Sequence, residues 1–179
     1  MIENLAIRRS TPGDFAGIEA IYPLAFPDED LLPVVRDLLA DPDIALSLVG
    51  EMDGALVGHV IFTRCCVDGN TSCASLLAPL AVTPSHHGQG IGSALVRFGL
   101  KIMRDGAIDI VLVLGDPAFY GRLGFATESR IQAPYPLPVE WASAWQSQTL
   151  GDSLDDSPTT PAGTLQVPAQ WRDPALWSE

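Results

Sequence analysis

The feature that most restricts this chain is the run Leu-Ala-Val-Thr-Pro-Ser-His-His-Gly-Gln-Gly-Ile-Gly-Ser at residues 80–93, where an apolar strand end passes through a proline turn into alternating glycines. Beyond it Ile91, Ala94, Leu95, Phe98 and Ile102 recur at helical spacing, which predicts a helix over 90–104 with one apolar face for a sheet. The first turn of a helix leaves backbone N–H groups without intrahelical partners and carries the positive end of the dipole. Gly88, Gly90 and Gly92 place no Cβ over those donors, so the run predicts an anion cradle, and its length suits a pyrophosphate.

Context decides which pyrophosphate. A dinucleotide fingerprint has Gly-x-Gly-x-x-Gly directly after the first strand, whereas here the spacing is Gly-x-Gly-x-Gly, mid-chain, with residues 83–87 between strand and first glycine. No Gly-Lys-Ser/Thr follows, which sets aside a nucleoside triphosphate loop. The run resembles the signature of the GNAT superfamily of N-acetyltransferases, in which a strand ending Leu-x-Val leads through a proline turn to Arg/Gln-x-x-Gly-x-Gly/Ala. A second resemblance lies in Tyr120-Gly-Arg-Leu-Gly-Phe125 after the apolar run 108–114, matching that superfamily's Tyr-x-x-x-Gly-Phe element in order and spacing. Together the likenesses span residues 7–126, and the wording around Val-Leu-Val-Leu-Gly-Asp-Pro-Ala-Phe-Tyr is similar to a bacterial branch of acetyltransferases.

The resemblance implies an α/β (α+β) fold with a mixed, mostly antiparallel sheet flanked by helices, and acetyl-coenzyme A as cofactor. It implies that the backbone of Leu80, Ala81 and Val82 pairs with the pantetheine arm like an added strand, and that His87, Gly88, Gln89, Gly90, Ile91, Gly92 and Ser93 hold the pyrophosphate. His87 stands where the superfamily has Arg or Gln; a neutral imidazole carries no fixed charge, and an idle turn histidine is the competing reading. Tyr120 is placed beside the coenzyme A thiol, as stabiliser of the departing thiolate or as its proton donor, against a plain packing tyrosine. Because a phenol near pKa 10 is a weaker acid than a thiol near 8.5, full proton transfer costs about 2 kcal/mol, and a hydrogen bond does not.

The acceptor's base is not legible. An alkylamine of pKa about 10.4 is roughly a thousandth neutral at pH 7, a deficit of about 4–5 kcal/mol that a carboxylate, imidazole or water relay would offset. Strand residues 74–82 contain no acid, leaving Glu51, His59 and Asp116, each with an ordinary turn, surface or capping role as the alternative. Two function classes follow: an acetyl-coenzyme-A-dependent N-acetyltransferase acting on a small-molecule amine or a protein amino group, and a non-catalytic acyl-coenzyme-A-binding sensor.

Composition narrows the partners. The 179 residues carry a net charge of −12, which argues against a nucleic-acid partner and is compatible either with a cationic substrate or with acidity that serves solubility alone. No apolar run approaches the roughly 20 residues of a membrane helix, and Met1-Ile2-Glu3-Asn4 does not begin a secretory signal, so a soluble, cytoplasmic protein is expected. Cys65, Cys66 and Cys73 lack zinc-site spacing and are expected to be reduced strand residues; no metal set is expected from His59, His86 or His87.

Along the chain, Leu5–Arg9 reads as a strand, Ser10 or Thr11 with Pro12 starts a helix bearing Phe15, Ile18, Tyr22 and Ala25, and a second helix is expected over 28–39 with Leu31, Val34, Val35 and Leu38 inward. Asp53-Gly54 joins Ala45–Met52 to Ala55–Val67 as a hairpin, and Asp68-Gly69-Asn70 turns into a strand over 75–82. The helix and the strand over 108–114 complete a crossover, so the sheet is mixed. Residues 1–130 are expected to form the acetyltransferase domain. Residues 131–179, rich in proline and holding Trp141, Trp145, Trp171 and Trp177, form an extension that folds back on the core or onto a second subunit of a homodimer, with 152–161 a solvated loop.

Overall fold

The computed structural model describes residues 2–68, 73–151 and 161–178, so most of the expected turn at 68–70 and of the loop at 152–161 lies outside the described residues. The chain divides into two compact units, Met1–Thr63 with Ala78–Gly99, and Arg64–Leu77 with Leu100–Glu179.

In the first unit β1 (Leu5–Arg9) pairs antiparallel with β2 (Ala45–Met52), which pairs antiparallel with β3 (Ala55–Val67). The β2–β3 turn is Asp53-Gly54, both at positive φ (51° and 80°), the conformation that matches the twist of a two-residue hairpin. Alternation along β3 sends Gly58 and Phe62 to one face and His59 to the other. On the His59 face lies α1 (Phe15–Ala25), begun by Thr11, whose backbone N–H donates to Asp14, and by Pro12 in a short 3-10 turn. The second helix, α2, covers Leu32–Leu39 and buries Val34, Val35 and Leu38. It starts later than the expected 28, because Pro33 belongs in a first helical turn and Asp28, Glu29 and Asp30 remain exposed ahead of it.

The opposite face takes α3 (Ile91–Asp105), which follows β4 (Cys73–Val82). Two glycines admit it: Gly50 and Gly58 are partners across β2 and β3, and a Cβ at Gly58 would come within 2.8 Å of Leu95 Cδ1 and 3.2 Å of Ile91 Cγ2. Further along the helix the small residue is its own, since a Cβ on Gly99 would lie 2.1 Å from Phe62 Cε2. The buried stripe therefore centres on Ile91, Leu95 and Gly99, and Phe98, expected inward, is 39% exposed. Glycine has no side chain to score in an apolar pattern, so the stripe's centre is invisible until Phe62 is seen filling the space.

In the second unit β4 pairs in parallel with β5 (Ile110–Leu114) through Ala74, Ser75 and Leu76. β5 begins at Ile110 rather than 108, because Ala107 at φ 58° and the Ile108 N–H donating to the Met103 carbonyl close α3 first. Antiparallel β8 (Trp145–Thr149) runs along all of β5, and β6 (Ala126–Thr127) adds to β8, while β9 (Gly163–Gln166) pairs with the end of β3 and with β7 (Ile131–Gln132). The sheet is thus mixed and mostly antiparallel. Residues after 131 bring Trp145, Trp171 and Trp177 into one buried cluster with ring centroids 6.0 and 6.3 Å apart; the Trp145 indole N–H donates to the Ile131 carbonyl at 2.7 Å and that of Trp177 to the Trp171 carbonyl at 3.0 Å. Trp141 is only half-buried. Cys65 is buried and Cys66 exposed, and neither forms a disulfide; burial pushes the Cys65 thiol up to about 12.

Replacing Gly99 by Ala is expected to cost about 1–3 kcal/mol, since Phe62 would have to leave its packed position. Gly121→Ala, where a Cβ meets nothing within 4 Å, should stay within about 0.5 kcal/mol of wild type. Urea unfolding of both variants checks this, and equal midpoints would show that α3 is not seated through Gly99.

Candidate active site

The strand-to-helix connection of the first unit is clamped before it reaches the glycines. A β-bulge at the Gly50/Glu51 step of the β2–β3 ladder leaves Val57 as the extra residue, and its carbonyl accepts from Thr83 N at 2.9 Å. Thr83 Oγ1 lies 2.8 Å from His86 Nδ1, the Thr83 carbonyl accepts from His86 N at 2.9 Å, and the Gln89 amide donates to the Ser85 carbonyl at 3.4 Å. His87, expected to face phosphate, turns its Nε2 to the Val82 carbonyl at 2.8 Å. That bond requires the proton on Nε2 and makes His87 a clasp between the end of β4 and the turn.

Beyond the clasp Gly88 and Gly90 take φ of 75° and 84°, the left-handed region where a Cβ is strained, so glycine is needed for backbone shape as well as for access. Gly92 lies in the first turn of α3. The first amide to find a backbone acceptor is that of Ala94, bonded to the Gly90 carbonyl at 3.0 Å. Among the described residues the six amides before it, those of Gly88, Gln89, Gly90, Ile91, Gly92 and Ser93, have no backbone acceptor. Residues 87–90 are exposed, whereas Ile91 is 1% exposed and anchors the helix under the cradle, so Ile91 can offer a ligand only its N–H. Ala81, also 1% exposed, is likewise a backbone contributor, and residues 80–82 lie outside the β4–β5 register.

In the second unit Tyr120 ends α4 (Pro117–Tyr120), whose N-cap Asp116 accepts from Ala118 N at 2.8 Å; the capping role of Asp116 accounts for its carboxylate. The Tyr120 ring occupies the space above Gly115, where a Cβ would lie 2.4 Å from Tyr120 Cε2, and meets Phe119 and Phe125 edge-on at 4.9 and 5.6 Å. Gly124, at φ 94°, closes the following 3-10 turn and sends Phe125 back under the ring. Burial raises the phenol's pKa above its ordinary value, and its hydroxyl has no hydrogen-bond partner among the described residues. A neutral, uncommitted O–H donor results.

The remaining candidates for a base are committed elsewhere. Glu51 accepts from Arg8 at 2.9 Å, and Arg8 also grips both oxygens of Asp14 at 2.8 and 2.9 Å, which holds the Asp14 carboxyl well below the usual carboxylate range. His59 is fully buried, with Nδ1 2.7 Å from the Tyr22 hydroxyl and Nε2 2.8 Å from Ser47 Oγ, and Ser10 Oγ donates to Ser47 Oγ at 2.7 Å. This Ser10–Ser47–His59–Tyr22 chain was not legible in the sequence, because its members are scattered over β1, α1, β2 and β3. Burial lowers the His59 pKa to about 3, so the ring is neutral.

Residues 43–127 match the acetyltransferase (GNAT) domain, which marks the class as acetyltransferase. The chain is 36% identical over 156 residues to YjhQ, an uncharacterised N-acetyltransferase of Escherichia coli K12, covering 83% of this chain and 86% of that one. Among solved structures it is similar to the GNAT family N-acetyltransferase YhbS of Escherichia coli in complex with CoA, at 29% identity and TM-score 0.84 over 95% of this chain and 93% of that one. A GNAT family acetyltransferase of Brucella melitensis in complex with acetyl-CoA superposes at 28% identity and TM-score 0.72 over 93% and 97% of the two chains. The chain belongs to the GNAT family of N-acetyltransferases.

The neutral His59 generates a pH test. Between its unfolded value of about 6.5 and its folded value of about 3 the unfolded chain binds a proton that the folded chain does not, so this contribution to stability is full above pH 6.5 and is lost as pH falls. Urea unfolding is expected to show His59 alone costing roughly 2 kcal/mol between pH 7 and pH 5. The difference between wild type and His59→Gln should carry that slope, and parallel profiles for the two would show that the buried ring is charged.

Proposed function

We propose that this chain acetylates a primary amine of a small molecule or protein, with residues 88–93 holding the pyrophosphate of acetyl-coenzyme A and Tyr120 stabilising the thiolate that departs. The six amides of residues 88–93 carry the reading, because none has a backbone acceptor and Gly88 leaves nothing within 4 Å of where a Cβ would stand. When bound, the cofactor supplies an acetyl thioester whose C–S bond breaks as the amine nitrogen bonds to the acetyl carbon. The backbone of Leu80, Ala81 and Val82 is suited to pair with the pantetheine arm, being outside the β4–β5 register. An N–H at that strand end would polarise the thioester carbonyl.

Burial of Tyr120 supports one of its two roles over the other. A phenol whose pKa is raised gives up its proton less readily, so donation of a hydrogen bond to the developing thiolate is favoured over full proton transfer. With Glu51 and Asp116 committed and His59 enclosed and neutral, the amine's proton leaves to water rather than to any of the three. Residues 131–179 are read as an extension of the catalytic domain at 1–130, a reading supported by the pairing of β8 along β5. No helix among the described residues is long and apolar enough to cross a membrane, which is compatible with a cytoplasmic enzyme.

Gly90→Val puts a branched side chain at φ 84° over the free amides. Calorimetry is expected to show at least a tenfold loss of coenzyme A affinity; unchanged affinity would move the cofactor away from residues 88–93. Tyr120→Phe is expected to lower turnover more than tenfold while coenzyme A affinity stays within about threefold, since the phenol matters only as charge develops on sulfur. A parallel fall in both quantities would make Tyr120 a binding residue, and unchanged turnover would remove it from the mechanism.

A further inference from the structure

Residues 83–87 separate the strand end at 80–82 from the amides at 88–93, and the hydrogen bonds that shape them differ in reach. The Thr83 N–H donates to the Val57 carbonyl of β3 at 2.9 Å, which fixes where the turn begins. The His86 N–H donates to the Thr83 carbonyl at 2.9 Å and the His87 N–H to the Pro84 carbonyl at 3.2 Å, the bonds of a single 3-10 turn over Pro84–His86. The Gln89 amide reaches only as far back as the Ser85 carbonyl. Among the described residues, only the His87 side chain ties the exit of the turn back to β4, through Nε2 to the Val82 carbonyl at 2.8 Å.

On the far side of the glycines the chain is held by packing, since Ile91 is 1% exposed and lies where a Cβ on Gly58 would come within 3.2 Å of it. Gly88, Gln89 and Gly90 therefore hang between two anchors, His87 and Ile91. Glycine loses more conformational freedom on ordering than any other residue, so a stretch with two of them is ordered ahead of a ligand only if both ends are fixed. The same bond limits what the imidazole can do for an anion. A neutral ring has one N–H, here committed to Val82, and its Nδ1 is left with a lone pair that offers a phosphate oxygen nothing.

We propose that His87 is a positioning residue for coenzyme A that touches no phosphate: by tying the exit of the turn to the Val82 carbonyl it presets the amides of Gly88, Gln89 and Gly90 for the pyrophosphate. What this role requires is a hydrogen-bond donor at the place of Nε2, and no positive charge. The assignment rests on the reading of residues 88–93 as the pyrophosphate site. His87 is exposed, so water replaces its bond to Val82 when the side chain is removed, and the effect falls on the order of the glycines rather than on the fold.

Calorimetric titration of coenzyme A into wild type, His87→Ala and His87→Gln tests it, with nitrogen-15 relaxation of the three ligand-free proteins as a second readout. Glutamine carries an uncharged amide donor at the reach of Nε2, and alanine carries none. His87→Ala is expected to bind coenzyme A more weakly by about threefold or more. Its order parameters at Gly88, Gln89 and Gly90 should drop from about 0.85, the value of rigid backbone, toward about 0.6. His87→Gln should restore the order parameters and bring affinity to within about twofold of wild type. Urea midpoints of the three proteins should coincide, which separates positioning from loss of fold. Wild-type affinity or unchanged order parameters in His87→Ala, or a glutamine variant as weak as the alanine one, would overturn the inference while leaving the pyrophosphate site in place. Failure of the wild type to bind coenzyme A would instead remove the pyrophosphate reading, and the positioning role with it.

Discussion

The seating of α3 on paired glycines is the constraint from which the placement of the free amides at its start follows. Helices pack against sheets at a distance set by the side chains between them, and at Gly50 and Gly58 there are none, so Ile91 and Leu95 sink to the backbone of β2 and β3. The helix start is thereby pinned at the level of the strand end, and its unpaired amides are held at a fixed place rather than on a mobile loop. The bulge that frees the Val57 carbonyl for Thr83, and the His87 clasp on the Val82 carbonyl, fix the other end of the same turn. Donors held in this way would cost nothing to arrange for a ligand, and the two left-handed glycines are what expose them.

A second theme is the separation of structural polarity from chemical polarity. His59, Tyr22, Ser47 and Ser10 form a hydrogen-bonded chain inside the first unit with both ring nitrogens satisfied, and Arg8 binds Asp14 and Glu51. In the second unit the buried Glu128 accepts from the amides of Arg130 and Ile131 and from the Ser147 hydroxyl. Among the described residues the amides of residues 88–93 have no backbone acceptor and the Tyr120 hydroxyl has no hydrogen-bond partner. Together with the buried Gln148 Oε1, which also has no partner, such groups are where binding and catalysis are to be sought.

The legible parts of the sequence were those whose cause is local. Leu5–Arg9, the Asp53-Gly54 hairpin and its two strands, and the glycine run that opens α3 each follow from alternation, turn chemistry or helix-end chemistry within about a dozen residues. Features that failed to show were those in which the informative residue has no side chain or has distant partners. The buried stripe of α3 is centred on Gly99, which an apolar count passes over, and α2 starts at Leu32 rather than 28, where Pro33 sits in its first turn. The apolar pattern of 131–179 indicated burial but not that Trp145 begins a strand running the length of β5.

By itself the sequence determined a helix start with exposed backbone donors, since a strand, a turn and glycines leave N–H groups without partners there, and its likeness to a Tyr-x-x-x-Gly-Phe element marked Tyr120 as a candidate. Only the tertiary structure decided which groups remain free to act, because availability is a matter of what packs against what. It took the fold to turn His87 onto the Val82 carbonyl and to enclose His59 between Tyr22 and Ser47. Hydrogen-bond partners separated by 37 or 12 residues, as around His59, come together through sheet register and helix docking, which no local pattern encodes.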